Sequence, residues 1–257
     1  MADATLVLLI LAVSAFAPPL VFLGWVRRTE RYGQEPLGRV LRTFFWGAIF
    51  AVGIAVLLSL LGLYLFSEVD RVYAISRRLN TPAETIVAFV LALVIAPFTE
   101  EFAKGLGVYL ARPIIDEPED GLVYGAASGF GFAASENLLY GLTALLVSGS
   151  LGMSLLVIGI RSISSAFLHA SASATFGYGI ALGRLWPQHY RVWPYYVFAV
   201  AMHAAFNFLA GLGDIAAGQL GENAALIGLG AAVLLALVAF TALRAKIASE
   251  DARRVTW

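Results

Sequence analysis

The amino-acid sequence predicts an all-α, polytopic membrane protein with about seven transmembrane helices. Of the 257 residues, 60% are hydrophobic and only 13% are charged, against about 25% charged residues in soluble domains. Three uncharged runs, at residues 4–26, 43–67 and 223–243, each exceed the ~18 residues that a helix needs to cross a bilayer. No segment outside the apolar runs is large enough to fold alone, so we expect one integral membrane domain over residues 1–257.

The predicted spans differ in character along the chain. The first lacks a basic segment before it and a cleavage site after it, so we expect a retained helix rather than a signal peptide. The interiors of the first, second and seventh spans carry no ionisable residue, the third to sixth carry polar or charged residues, and the fifth is unusually long. The spans are placed at residues 4–26, 42–66, 83–111, 121–147, 152–184, 192–211 and 223–243.

Basic residues in the loops predict the orientation. One side of the membrane collects twelve of them and the other side only Arg71, Arg77 and Arg78. Because cytoplasmic loops are enriched in Lys and Arg, we expect the N-terminus outside and the C-terminus in the cytoplasm, in a prokaryotic cell membrane. The twelve residues are Arg27, Arg28, Arg31, Arg39, Arg42, Arg112, Arg184, Arg191, Arg244, Lys246, Arg253 and Arg254.

Charge and cysteine content exclude several classes of function. Seventeen basic and seventeen acidic residues give a net charge of zero, and no Lys/Arg-rich tract is present, which argues against binding to nucleic acid. The chain has no cysteine. Disulfides, thiol nucleophiles and cysteine-ligated zinc are therefore excluded.

Ionisable side chains lie inside spans three to six, where an unpaired charge is costly. Each costs about 2.5–3.5 kcal/mol at the middle of a membrane, so we expect them to face one another or water rather than lipid. The interiors of the other three spans have none, which predicts a polar site inside a four-helix core. The side chains are those of Glu100, Glu101, Lys104, Glu136, Arg161, His169 and His203.

Helical spacing supports this convergence. Glu100 and Lys104 are four residues apart and share a helix face, where an ion pair is expected. His203 and Asn207 lie one turn apart. In span four, glycines recur at 121, 125 and 129, and such a stripe favours close helix packing. Packing does not require adjacent glutamates within a membrane, so Glu100 and Glu101 favour a functional site.

Four blocks in these spans form an ordered series. They are Glu100-Glu101-Phe102-Ala103-Lys104, Gly131-Phe132-Ala133-Ala134-Ser135-Glu136-Asn137, Arg161 with His169, and His203 with Asn207. Taken together over the motif-bearing core, residues 97–208, they resemble the motif series of the PrsW family of intramembrane proteases. The resemblance implies a relationship to the CAAX prenyl endopeptidases, a hydrophilic chamber within the helical core, and a membrane-anchored protein substrate. It also implies that the catalytic residues are Glu100, Glu101, Glu136, His169, His203 and Asn207.

The chemistry of these residues suits hydrolysis by an activated water. No Gly-x-Ser-x-Gly segment supports a serine nucleophile. We expect Glu100, tuned by Glu101, to deprotonate water, with His169 as co-base or acid. We expect His203 and Asn207 to donate hydrogen bonds to the oxyanion. No cofactor is required in this scheme.

Three supporting residues, Lys104, Asn137 and Arg161, complete the predicted site. Glu136 and Asn137 are expected to orient His169 or Lys104. Arg161 is expected to offset the excess of negative charge. The bilayer itself and the substrate are the only partners that the sequence indicates.

Alternatives remain open at this point. A zinc-dependent protease would use His169, His203 and Glu136 as ligands, with Glu100 as general base. Intramembrane Glu, His and Lys residues also occur in proton- or cation-coupled transporters, although no internal repeat supports that reading. A non-catalytic membrane scaffold is the third possibility.

Overall fold

The computed structural model describes residues 4–66, 70–79, 82–213 and 221–253, and these ranges contain eight main helices and no strand. The all-α, polytopic fold predicted from the sequence is confirmed. Ser67 and Arg254, used above for the second span and the orientation, lie outside the described residues. The helices are α1 (Ala4–Arg27), α2 (Leu37–Phe66), α3 (Asp70–Leu79), α4 (Ala83–Ile114), α5 (Pro118–Ser148), α6 (Leu151–Leu185), α7 (Trp193–Ala210) and α8 (Ala224–Arg253).

Three of the long helices are irregular. A π-helical turn occupies Trp46–Ala51 in α2, and another occupies Leu91–Ile95 in α4. The turn in α4 directly precedes Pro97, which has no backbone N–H and cannot donate to the carbonyl four residues earlier. Helix α6 is interrupted at Ser164. These distortions change the direction of the helices next to the polar site.

Within the described ranges, six helices are long and apolar enough to cross a membrane, and α7 falls outside this set. The α7 segment has 18 residues, but its polar residues, including His203 and Asn207, lower its hydropathy. The ends of α1 and α8 show how the chain crosses. The backbone N–H groups of Arg31 and Tyr32 donate to Asp251 at 2.8 and 3.1 Å, so α1 and α8 run in the same direction.

That shared direction requires an odd number of crossings from α1 to α8. Six candidate crossings are an even number, so one more crossing must lie between α1 and α8. Helix α3 has 10 residues and rises only about 15 Å, half the thickness of the hydrocarbon core. The parity therefore favours α7 as the seventh crossing, in line with the sequence.

The glycine stripe of α5 packs directly against α6. A side chain at any of these glycines would collide with the α6 backbone. This contact explains why small residues recur every four positions, and it places the first half of α6 beside the polar part of α5. The paired positions are Gly121 with Gly177, Gly125 with Ser173, and Gly129 with His169.

Helices α1 and α8 form an apolar layer on the other side of α5 and α6. The rings of Phe167 and Phe240 stack at a centroid distance of 4.1 Å, and Phe22 meets Phe167 edge-on at 4.7 Å. No member of the polar group lies in this layer. The two helices therefore support the core that carries the polar residues.

Candidate active site

The ionisable residues of α4, α5, α6 and α7 meet in one group inside the bundle. Glu101 and Lys104 are fully buried, and His169 and His203 are 2% and 3% exposed. Glu100, Glu136 and Arg161 are partly buried at its edge. Side chains that are far apart along the chain thus share one polar region, as predicted from the free-energy cost of placing charged groups in lipid.

Glu101 is the centre of the hydrogen-bond network. Its Oε1 atom lies 2.6 Å from Lys104 Nζ and 2.9 Å from His203 Nδ1. Its Oε2 atom accepts a hydrogen bond from Ser173 at 2.9 Å. The expected ion pair between Glu100 and Lys104 is present at 3.8 Å, but the pair between Glu101 and Lys104 is shorter. Residues three and four apart share a helix face, and the inward position of Glu101 gives it the shorter contact.

The network determines which nitrogen of each histidine carries a proton. Lys104 can only donate, and its Nζ lies 2.8 Å from His169 Nδ1, so Nδ1 accepts and His169 Nε2–H donates to Glu136 Oε2 at 3.0 Å. His203 Nδ1 donates to the Glu101 carboxylate. In the neutral form of His203, the Nε2 atom therefore carries a lone pair that faces Glu100.

Glu100 has the least satisfied carboxylate in the group. Its buried Oε2 atom has no hydrogen-bond partner among the described residues. The atom lies 3.8 Å from both His203 Nε2 and Lys104 Nζ. Buried polar atoms are nearly always paired, so this oxygen, facing the lone pair of His203, marks a position suited to a water molecule or an ion.

Arg161 neutralises Glu136 and not the other glutamates. Its guanidinium lies 2.6 Å from Glu136, donates to Asn137 at 3.1 Å, and stacks over Tyr140 at 3.7 Å. Asn137 therefore orients Arg161, whereas the sequence predicted that it orients His169 or Lys104. Glu136 does contact His169, as expected.

Asn207 lies apart from the carboxylates. Its side-chain nitrogen donates to the carbonyl of Ala92 at 2.8 Å, inside the π-helical turn before Pro97. This bond satisfies a carbonyl that the irregular helix leaves free. The geometry supports a positioning role for Asn207, and its predicted donation to an oxyanion stays a prediction.

Two residues near the site were missed by sequence reasoning. Ser173 hydrogen-bonds Glu101 and lies four residues after His169, so helical spacing could have indicated it. Ser59 in α2 bonds Thr99 at 2.7 Å. No sequence signal distinguishes Ser59 from the other serines of apolar helices.

A cavity of about 340 Å³ adjoins the carboxylates between α2, α4 and α5. Glu100 and Glu136 line its polar end, and the other walls are apolar except for Ser59 and Tyr140. Several of the lining side chains are half-exposed on the outer surface of the bundle, so the cavity opens sideways. Residues of its α2 wall are Val52, Ala55, Val56, Ser59, Leu60 and Leu63.

The site also contains a donor set suited to a metal ion. Ligand atoms of Glu100, His169 and His203 lie within 4.8 Å of one another. Two histidines and a glutamate are a known ligand set of catalytic zinc, and the unpaired Glu100 oxygen fits that use. Among the described residues, the carboxylate of this candidate ligand set is thus Glu100. The sequence predicted Glu136 in that role, but the Oε2 atom of Glu136 already contacts Arg161 and His169.

The fold and the buried Glu–His–Lys group together define a polytopic membrane protein with an enzyme-like centre. The family described as PrsW family intramembrane metalloprotease matches residues 35–243, and the chain therefore belongs to the PrsW family. This membership supports an intramembrane protease, a hydrolase that acts on a protein substrate.

Individual relatives agree with the family assignment. Protease PrsW of Geobacillus kaustophilus is 28% identical over 198 residues, 75% of this chain and 76% of that protein. Protease PrsW of Clostridioides difficile is 26% identical over 202 residues, 76% of each chain. Protease PrsW of Bacillus subtilis is 28% identical over 127 residues, about half of each chain. No solved structure matches the protein significantly.

Proposed function

We propose that the protein is an intramembrane endopeptidase in which Glu100 activates the attacking water. The observation that carries this proposal is the buried, unpartnered Glu100 oxygen, 3.8 Å from the free nitrogen of His203. A water between these two atoms would donate its protons to a carboxylate and an imidazole. Both groups are suited to general base catalysis.

The neighbouring residues prepare this pair. Glu101 accepts a hydrogen bond from His203 Nδ1 and so favours the tautomer in which Nε2 is unprotonated. Lys104 fixes the position of Glu101 through their ion pair. In the reaction, Glu100 takes a proton from water as the oxygen attacks the scissile carbonyl, and it returns the proton to the leaving amine. Lys104 Nζ lies 3.8 Å from Glu100 Oε2, and a buried, preorganised charge in this position would stabilise an oxyanion formed beside Glu100.

A metal-dependent form of the same hydrolase is the second candidate. Glu100, His169 and His203 would hold the ion, and the ion would supply Lewis-acid polarisation of the scissile carbonyl. Both ring nitrogens of His169 already have partners, Lys104 and Glu136, so His169 would exchange one of these contacts for the metal. The specific observation in favour is the proximity of three donor atoms around the unpaired Glu100 oxygen.

We further propose that the substrate reaches the carboxylates through the sideways cavity. A volume of about 340 Å³ is at the small end of ligand pockets, which suits a few residues of an extended segment. When Thr99 donates its hydroxyl proton to the carbonyl of Ile95 or Ala96, Ser59 is the donor in their shared bond. The Ser59 oxygen is then free to accept a substrate N–H.

The membrane orientation belongs to the same proposal. With the N-terminus outside, the ends of α1 and α8 lie in the cytoplasm of a prokaryotic cell, and the substrate is membrane-embedded or membrane-proximal, as an anti-sigma factor is. Thiol-labelling of single cysteines placed in the loops tests this orientation, since the natural chain contains no cysteine.

Cleavage of single-span reporter proteins in proteoliposomes tests the function. A library of reporters with varied transmembrane segments is offered to the wild type and to Glu100→Gln. We expect the wild type, but not Glu100→Gln, to cleave at least one reporter. If the wild type cleaves none of them, a transporter or a scaffold is favoured instead. Metal content is measured in the same samples. Stoichiometric zinc that is lost to a chelator together with activity would select the metal form, and full activity without metal would select the glutamate form.

A further inference from the structure

A second cavity lies between the C-terminal ends of α1 and α8 and shares no lining residue with the carboxylate cavity. Its volume is about 600 Å³, in the middle of the range for ligand sites. Trp25 and Phe240 form its apolar side, and three arginines, Arg28, Arg31 and Arg244, form its polar side. None of these residues belongs to the proposed active site.

The three arginines have no ion pair within the described residues. Asp251 also lines the cavity, but its two oxygens accept hydrogen bonds from the backbone N–H groups of Arg31 and Tyr32. The carboxylate is therefore fixed by the backbone and not by a guanidinium. The cavity keeps an excess of positive charge.

Arg244 is held in position by neutral partners. Its Nε atom donates to the Thr29 hydroxyl at 3.2 Å, and its guanidinium stacks over Trp25 at 3.9 Å. No hydrogen bond of its two terminal nitrogens is seen among the described residues. A planar guanidinium with unused, preoriented donors is suited to a phosphate group.

The position of the cavity indicates where that phosphate comes from. The cavity lies where two apolar helices end, and the exposed side chains of Val21 and Leu237 lie one turn before its lining residues Trp25 and Thr241. An acyl chain could lie along this surface while its headgroup enters the cavity. Basic pockets between membrane helices on the cytoplasmic side bind anionic headgroups.

We propose that this cavity binds the phosphate group of an anionic phospholipid. Arg28, Arg31 and Arg244 surround the phosphate, the Thr29 hydroxyl and Trp25 fix Arg244, and the acyl chains lie between α1 and α8. A basic residue near an anionic surface changes a binding constant by about fivefold. Loss of all three charges should weaken binding by roughly a hundredfold.

Native mass spectrometry of the delipidated full-length protein tests this site. Phosphatidylglycerol, phosphatidylcholine and inorganic phosphate are titrated separately, and melting temperature is followed in parallel. The variant carries Arg28→Gln, Arg31→Gln and Arg244→Gln. The matched control replaces three arginines on the same predicted side of the membrane that are exposed and lie outside the cavity: Arg42, Arg184 and Arg191.

We expect one phosphatidylglycerol to be retained by the wild type and by the control, and to be lost by the variant. If the wild type retained phosphatidylcholine as well as it retains phosphatidylglycerol, or if the variant and the control lost phosphatidylglycerol equally, only a general attraction of lipid to the protein surface would be shown. Either result would overturn the proposal. Equal stabilisation by inorganic phosphate would overturn the lipid as the source. If the triple variant does not fold, the single variant Arg28→Gln, at an exposed position, tests the proposal. Its affinity for phosphatidylglycerol should be about fivefold lower than that of the wild type.

Discussion

Replacing the two adjacent glutamates separately distinguishes a catalytic carboxylate from a structural one. In Glu101→Gln, the buried ammonium of Lys104 loses its partner at 2.6 Å, and the hydrogen bonds from His203 and Ser173 weaken. In Glu100→Gln, the lost group had an unpartnered oxygen and only two contacts at 3.8 Å. The two variants should therefore differ in stability.

The magnitudes follow from these contacts. Removing one partner of a buried ion pair costs about 3–5 kcal/mol, which corresponds to a fall in melting temperature of roughly 6–20 °C at this chain length. Glu101→Gln should therefore lose both stability and activity. Glu100→Gln should melt within about 4 °C of the wild type and lose a factor of about 10²–10⁴ in kcat, as expected for a general base.

The assay combines thermal unfolding in detergent with reporter cleavage in proteoliposomes. Glu84→Gln is the matched control, because Glu84 is an exposed glutamate in the same helix, and it should change neither readout. The reasoning is refuted if Glu100→Gln keeps more than about a tenth of the wild-type kcat, or if Glu101→Gln is as stable as the wild type.

Three further predictions test other parts of the molecule. Ala55→Leu fills the carboxylate cavity and should lower kcat/KM at least about tenfold. The control Leu57→Phe, on the exposed face of the same helix, should leave kcat/KM unchanged. Equal effects of the two substitutions would contradict substrate entry through this cavity. Burial raises the pKa of Glu30 from 4.5 to about 8, so the folded state binds the proton more tightly and loses stability as pH rises from about 5 to 8. Melting curves of Glu30→Gln should show a shallower decline over this range, and an unchanged decline would exclude Glu30 as a source. Gly129→Ala places a methyl group against the α6 backbone and should cost about 1–3 kcal/mol in the free energy of unfolding, while Gly159→Ala, which points into open space, should cost nothing.

Sequence alone determined the fold class and the location of the polar site. Apolar runs of spanning length require helices in a bilayer, because every backbone hydrogen bond must be made within the segment. The cost of charge in hydrocarbon requires the ionisable residues of four spans to converge. The glycine stripe likewise predicted a close helix contact without any tertiary information, since only small side chains permit it.

Tertiary structure decided which of the converging groups touch. Glu100 and Glu101 are adjacent in sequence, yet one is the centre of an ion-pair network and the other has an unpaired oxygen. Helix periodicity separates the two side chains by about 100°, but it does not say which direction faces α6 and α7. That depends on how the helices rotate when they pack, and packing is set by contacts between residues far apart along the chain. The bond from Asn207 to Ala92, the pairing of Asn137 with Arg161 and the cavity beside Ser59 arise from those long-range contacts.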